Sequence, residues 1–333
     1  MRSWNELGSL QFRILSLIAA TALSYFPASA QVDDIRVATE HVSVPVTVLN
    51  RDGRYIPGLQ KSDFVILEDG EVQEITEFHT VEEPITALLL LDTSGSLNDH
   101  FPKIASAAGA FIEMMRPNDT VMVAAFADKS KLEILVQSTK RSELKGQISL
   151  RPRFGDSATA TFNAVDEGLK VLEKVKGRKA LILFSDGEMF GRGVSMKDNF
   201  RRAEESDAAI YTVRFGQYPM YQPGYTKVIM PEDIKRYGNT LGLTRKELQK
   251  LVDRVDGYMY GLAEKTGGRG FQFDSMNDLM GSFQTIAGEL GQQYALGYEP
   301  TKAPLNGERR KISVKVNVPG AVVRSRKEVV FKK

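Results

Sequence analysis

The chain has 333 residues, 42% of them hydrophobic and 26% charged, which is enough apolar material for one large or two modest cores. Its 44 basic and 42 acidic side chains leave a formal net charge of +2, so no strong field recruits nucleic acid or an anionic membrane. It has no cysteine; no disulfide holds the fold, and a lipid anchor on an N-terminal cysteine is excluded.

Arg2 and Arg13 precede an apolar run from Ile14 to Phe26, and Ala28, Ser29 and Ala30 follow it. This is the grammar of a secretory signal peptide cleaved near Ala30. The run is shorter than the roughly 20 residues of a spanning helix, and no later apolar segment is longer. The expectation is a secreted or periplasmic protein without stable membrane insertion.

After residue 30 the apolar pattern has period two. In "VSVPVTV", Val42, Val44, Val46 and Val48 alternate with Ser43, Pro45 and Thr47, the mark of a half-buried strand. Pro45 has no amide to donate, which predicts an edge strand. Asp52-Gly53 and Asp69-Gly70 signal tight turns, and "DFVILEDGEVQEITEF" reads as a hairpin. The same period returns in "KISVKVNV" near the C-terminus. Neither end buries a sheet alone, so residues 31–83 and 293–333 are expected to pair into one small β-sandwich.

Between them, residues 84–292 follow a different grammar. The runs "TALLLL", "VMVAAFA", "ALILF" and "AAIYTVRF" suggest strands buried on both faces. Amphipathic stripes separate most of them, such as Ile104, Ala108, Phe111, Ile112 and Met115, or Phe162, Val165, Leu169 and Leu172. The alternation predicts an α/β fold with a doubly wound, mostly parallel sheet, inserted in the sandwich. Residues 217–256 read as an insertion, with a capping box from Thr244 to Glu247 opening a short helix.

In such sheets ligands bind beyond the carboxyl ends of the strands. Asp92, Ser94 and Ser96 stand at the end of the first buried strand. Taken alone, Asp-x-Ser-x-Ser is as readily a helix cap as a ligand set. Ser185, Asp186 and Gly187 end another strand, however, and Thr159 stands just ahead of a helix. Two carboxylates and three hydroxyls on one sheet edge form a hard-oxygen set suited to Mg²⁺ or Mn²⁺, without the His or Cys that zinc prefers. Because the hydroxyls carry no charge, an ion held there stays electrophilic and attracts a carboxylate from a protein or another acidic partner.

The pattern Asp92-x-Ser94-x-Ser96, then Thr159, then Asp186 resembles the metal ion-dependent adhesion site of von Willebrand factor A-type domains. The flanking "VPVTVLNRDGRYIPGLQKSDFVILEDGEVQEI", "LAEKTGGRGFQF" and "QQYALGYEP" resemble the bacterial VWFA-related family. The resemblance implies that Ser94, Ser96 and Thr159 supply ligand oxygens, that Asp92 and Asp186 coordinate directly or through water, and that Thr93 and Gly95 shape the loop. The chain departs from the family at "DSA", where many members have Gly-Gly; Asp156 and Ser157 there either stiffen the loop or add charge, and Thr161 competes with Thr159 as ligand.

Two other readings stand beside metal-bridged docking. The metal site is a structural relic and the sandwich makes the contacts, or the chain is a hydrolase, in which either the ion activates water or Ser94 and His100 serve as nucleophile and base. No Gly-x-Ser-x-Gly elbow supports the second, so a non-enzymatic role is expected. Tyr218, Tyr221 and Tyr225 follow a strand end and are expected to rim the metal face as contact anchors.

Overall fold

A computed structural model describes residues 41–127, 132–138, 148–151, 160–187, 193–215, 244–273, 275 and 278–332. The expected signal peptide, Asp156, Ser157, Thr159 and the Tyr218, Tyr221 and Tyr225 segment lie outside the described residues. The chain begins its described part with β1 (Val42–Leu49), β2 (Phe64–Glu68), β3 (Glu71–Gln73) and β4 (Ile75–His79). Strands then alternate with helices: β5 (Ile85–Asp92), α1 (Phe101–Met114), β6 (Thr120–Phe126), β7 (Glu133–Ser138), α2 (Thr161–Glu173), β8 (Arg178–Ser185), α3 (Met196–Glu205), β9 (Ala209–Phe215), α4 (Arg245–Thr266), β10 (Gly270–Phe273) and α5 (Leu279–Leu290). β11 (Tyr294–Tyr298), β12 (Arg309–Val316), β13 (Val322–Ser325) and β14 (Glu328–Val330) close it.

The period-two segments build two four-stranded sheets, ordered β13-β1-β11-β4 and β14-β12-β2-β3. Each mixes strands from before and after the α/β segment, and their inward valines and aromatics, among them Val44, Val46, Ile66, Tyr294, Tyr298 and Val314, share one apolar cluster. Asp69 and Gly70 both take positive φ, 48° and 89°, the backbone of the tight turn that pairs Glu68 with Glu71. The hairpin stops there, because β4 crosses to the other sheet and pairs with β11.

Pro45 corrects an expectation. β1 is an inner strand, between β13 and β11. It tolerates a proline because β13 pairs only with Val46 to Leu49, so beyond its end the missing amide costs no ladder bond on that side.

The six-stranded sheet has the order β10-β9-β8-β5-β6-β7. Its pairs are parallel except β6 with β7. Leu88, Leu89, Leu90 and Leu91 are all fully buried because their alternate sides meet two helical layers. Leu89 and Leu91 pack with Phe111 of α1 and Phe283 of α5, and Leu88 and Leu90 with Leu169 of α2 and Tyr258 of α4. β5 is therefore the central strand, and its chain successor β6 and the later β8 lie on opposite sides. This is a topological switch point, where the crossing helices part and leave a crevice at the strand's carboxyl end.

Helix α4 is longer than expected. The capping box is present, Thr244 with Glu247, but the helix continues through residue 256 to Thr266. Val252, Val255, Tyr258, Met259 and Leu262 are buried along one stripe, so from there on it is a core layer and not an insertion.

At the opposite end of β5 two arginines hold both connections to the terminal sheets. Arg178 donates to Glu83 O at 2.5 Å and to Leu290 O at 2.6 Å. Arg116 donates to Val81 O and Gly291 O. The entry strand and the exit helix thus end side by side. Among the described residues no helix is long and apolar enough to cross a membrane.

Candidate metal centre

Register places the candidate residues in one row. Asp92 stands opposite Phe126 on β6, Leu91 opposite Phe184 on β8, and Ser185 opposite Arg214 on β9. Where these strands run out, the loop after Asp92 is fastened to β6 twice, by Thr93 N to Phe126 O at 2.8 Å and Thr93 Oγ1 to the same carbonyl at 2.9 Å. The start of α2 is tied beside it, with Ala160 N donating to Ala127 O at 2.8 Å.

The hydroxyls and carboxylates form one connected network. Asp92, fully buried, accepts from Ser94 N at 2.9 Å through Oδ1 and from Ser185 Oγ at 2.7 Å through Oδ2. Ser94 Oγ lies 3.1 Å from Ser96 Oγ, and Ser96 Oγ donates to Asp186 Oδ2 at 2.5 Å. Gly187 N donates to Ser185 Oγ at 3.0 Å. Asp92, Ser94, Ser96 and Asp186 are thus brought together from two strand ends, while Thr159 lies outside the described residues. Ser185 is the member that sequence reasoning placed at the strand end without giving it a part; its signal was a hydroxyl directly ahead of the acidic residue.

Asp92 takes up the Ser94 amide as a cap would, but the hydroxyl of Ser94 does not cap. Ser94 precedes the short 3₁₀ turn Gly95–His100 as its N-cap, yet its side chain makes no capping bond. It turns to Ser96 instead. Access is graded: Asp92 is sealed, Asp186 is half-buried and Ser96 is exposed, so the network opens to solvent on the side of Ser96 and Asp186.

Electrostatically the site is unfinished. Burial, and then the neighbouring Asp186 carboxylate, push the Asp92 carboxyl up to about 7, against the opposing pull of its bonds from Ser185 and Ser94. Two carboxylates close together in a poorly solvated place are costly unless a cation joins them. Thr161 Oγ1, at the start of α2, is buried and has no hydrogen-bond partner among the described residues. Among the described residues no three His, Asp or Glu side chains are arranged to hold a metal; this set has two carboxylates and otherwise hydroxyls. An all-oxygen, two-carboxylate donor set fits a hard divalent cation.

Ser94 and His100 are not brought together. The His100 ring instead packs edge-on against Phe215, with 4.9 Å between centroids.

Residues 87–188 match the family model of the von Willebrand factor type A domain. Solved structures similar to the chain include a von Willebrand factor type A protein from Catenulispora acidiphila, 11% identical over 90% of this chain and 76% of that one, with a TM-score of 0.43. Others are the ArnB paralog VWA2 from Sulfolobus acidocaldarius (12%, 87% and 75%, 0.42) and an aerotolerance-related membrane protein from Bacteroides fragilis (18%, 62% and 98%, 0.43). No curated protein sequence matches the chain.

Proposed function

We propose, from the premise that residues 87–188 form a von Willebrand factor type A domain, that this chain is an exported binding protein and not an enzyme. It docks an acidic group of a partner through Mg²⁺ or Mn²⁺. The observation that carries the reading is the network joining Asp92, Ser94, Ser96 and Asp186 across two strand ends. Ser94, Ser96 and Asp186 would hold the ion, with Asp92 behind them and Thr159 or Thr161 completing the set. When bound, the ion supplies an electrophilic position for an incoming carboxylate.

The protein's own residues do the rest. Thr93 fixes the loop to β6, and Ser185 orients the buried Asp92 carboxylate. Tyr218, Tyr221 and Tyr225 are proposed as aromatic anchors around the contact. Export rests on the charged, apolar and small-residue grammar of residues 1–30.

Two measurements on the full mature chain test this. Mg²⁺ at about 100 times its Kd stabilises the wild type by about 2.7 kcal/mol through mass action and raises its Tm. Asp186→Ala shows no such rise; equal rises in both proteins contradict the site. Capture of a partner from the organism's envelope extract requires Mg²⁺, is lost in chelator, and is lost in Asp92→Ala. Capture unaffected by both treatments supports contacts made by the terminal sheets, and metal-dependent turnover of a small substrate without any partner supports an enzyme.

A further inference from the structure

A row of buried polar side chains runs across the six-stranded sheet beside the candidate metal centre. Asp92 and Ser185 end β5 and β8, and Ser185 stands opposite Arg214, one residue before the end of β9. Leu90, Leu183 and Ile210 of the same three strands pack in one cluster with Tyr258 and Leu262 of α4. Alternation along each strand therefore turns Asp92, Ser185 and Arg214 to the face that α4 covers. All three are buried, and so is Asp256 of α4. Arg214 Nη1 donates to Asp256 Oδ1.

Gly187 joins this row to the turn that carries Asp186. Its φ is 84°, and its N–H donates to Ser185 Oγ at 3.0 Å. A Cβ there would lie 2.3 Å from Val255 Cγ1 of α4 and 3.5 Å from Arg214 Nε. The turn after Asp186 thus comes down on α4 and on the guanidinium with no side chain between, in a backbone conformation that glycine takes without strain. Asp256, Arg214, Gly187, Ser185 and Asp92 are neighbours in one sequence of contacts that leads from helix α4 to the sealed carboxylate of the site.

We propose that Arg214, locked in place by Asp256, is a positioning residue of the metal centre: it holds the Asp186–Gly187 turn where Asp186 meets Ser96, and so sets the affinity for the ion. The effect on the ion rests on the metal-docking reading; the effect on the turn does not. An ion pair sealed from water keeps both partners in one geometry, because either charge left alone is costly. The guanidinium therefore gives the turn a fixed floor, and Val255 gives it a fixed wall. What they fix is a contact between two loops, Ser96 Oγ donating to Asp186 Oδ2 at 2.5 Å, which a shift of the turn would break. Groups that support a metal ligand from behind are worth about 10- to 100-fold in affinity. Helix α4 thereby belongs to the site through Val255 and Asp256, without supplying a ligand.

The test removes both charges at once, Arg214→Met with Asp256→Leu in the full mature chain, since a buried pair exchanged for apolar side chains of similar size leaves a folded protein. Hydrogen exchange in chelator follows two amides, Gly187 and Gly268, the latter donating to Ala263 O at 3.0 Å where α4 ends. Gly187 exchanges about 10-fold faster than in the wild type, and Gly268 is unchanged. No acceleration at Gly187, or an equal one at both amides, which would mean a general loosening of α4, overturns the proposal. Isothermal titration with Mg²⁺ then reads the ion. Affinity falls about 10- to 100-fold in the double variant, and Arg214→Lys, which keeps a cation against Asp256, recovers part of it. Wild-type affinity in the double variant also overturns the proposal. A wild type that binds neither Mg²⁺ nor Mn²⁺ instead overturns the docking reading, and the exchange of Gly187 decides the role of Arg214 in the turn.

Discussion

Arg310→Met destabilises the protein by about 3–5 kcal/mol, seen as a lower urea midpoint. Arg310 and Glu68 are a buried pair, 6% and 5% exposed, joined at 2.7 Å. They tie β12 to β2, strands that lie on either side of the α/β domain in sequence. Methionine keeps most of the apolar stem but gives up the guanidinium, which lies 5.0 Å from the Phe331 ring centroid and also donates to Glu308, Lys302 O and Ala303 O. It leaves Glu68 in the interior with the hydroxyl of Tyr298, at 2.6 Å, as its remaining side-chain bond. An uncompensated buried charge of this kind is what makes one-sided removal costly. The double variant Arg310→Met/Glu68→Gln regains part of the stability, since the amide still accepts from Tyr298 and no charge is stranded at Glu68, while Lys302 O and Ala303 O still lack the guanidinium. A single variant within 1 kcal/mol of wild type would show that the pair carries no such weight.

Gly268→Ala costs about 3 kcal/mol by overpacking, while Gly109→Ala, the same substitution, stabilises by up to about 1 kcal/mol. A Cβ on Gly268 would lie 1.9 Å from Ile210 O and 2.6 Å from Ile210 C. Both are backbone atoms of β9, and neither can rotate away. The contact is held from both sides: Thr266 Oγ1 accepts from Ile210 N at 2.9 Å, and Gly268 N donates to Ala263 O at 3.0 Å. Gly109, in the middle of α1, has nothing within 4 Å of the added atom. Thermal melts of the two variants should move in opposite directions, and a common direction contradicts the close-approach argument.

Much of the fold was legible because burial on both faces leaves an unmistakable trace. The leucines 88–91, with no polar residue among them, announce a central strand, and the three-to-four spacing of Ile104, Phe111 and Met115 announces the helix beside it. The site was legible in its linear part, where Asp92, Ser94 and Ser96 are two apart. Ser185 was harder, because its bond to Asp92 spans 93 positions and nothing local marks a hydroxyl for a distant acceptor. The sequence reads α4 short because its first half falls in a stretch taken as an insertion ending at residue 256, just ahead of Gly257, a poor helix former. In the structure Asp256 is buried and paired with Arg214, so a tertiary ion pair offsets the local preference. Pro45 failed as an edge marker because a strand can be inner along one half and open along the other.

The two arginine-clamped connections have a mechanical consequence. Asp92 lies at the far end of β5 from Ile85, seven residues and about 23 Å away. Beyond the clamps, the chain continues into β4 and β11, neighbours in one sheet paired from Ala295 with His79 onward. Tension taken up at the Asp92 loop therefore reaches the terminal sheets through two tethers at once, and each tether is braced at its root by a guanidinium shared with the other. The load is divided before it meets the first strand-to-strand hydrogen bonds, so a pull on that loop strains neither connection alone.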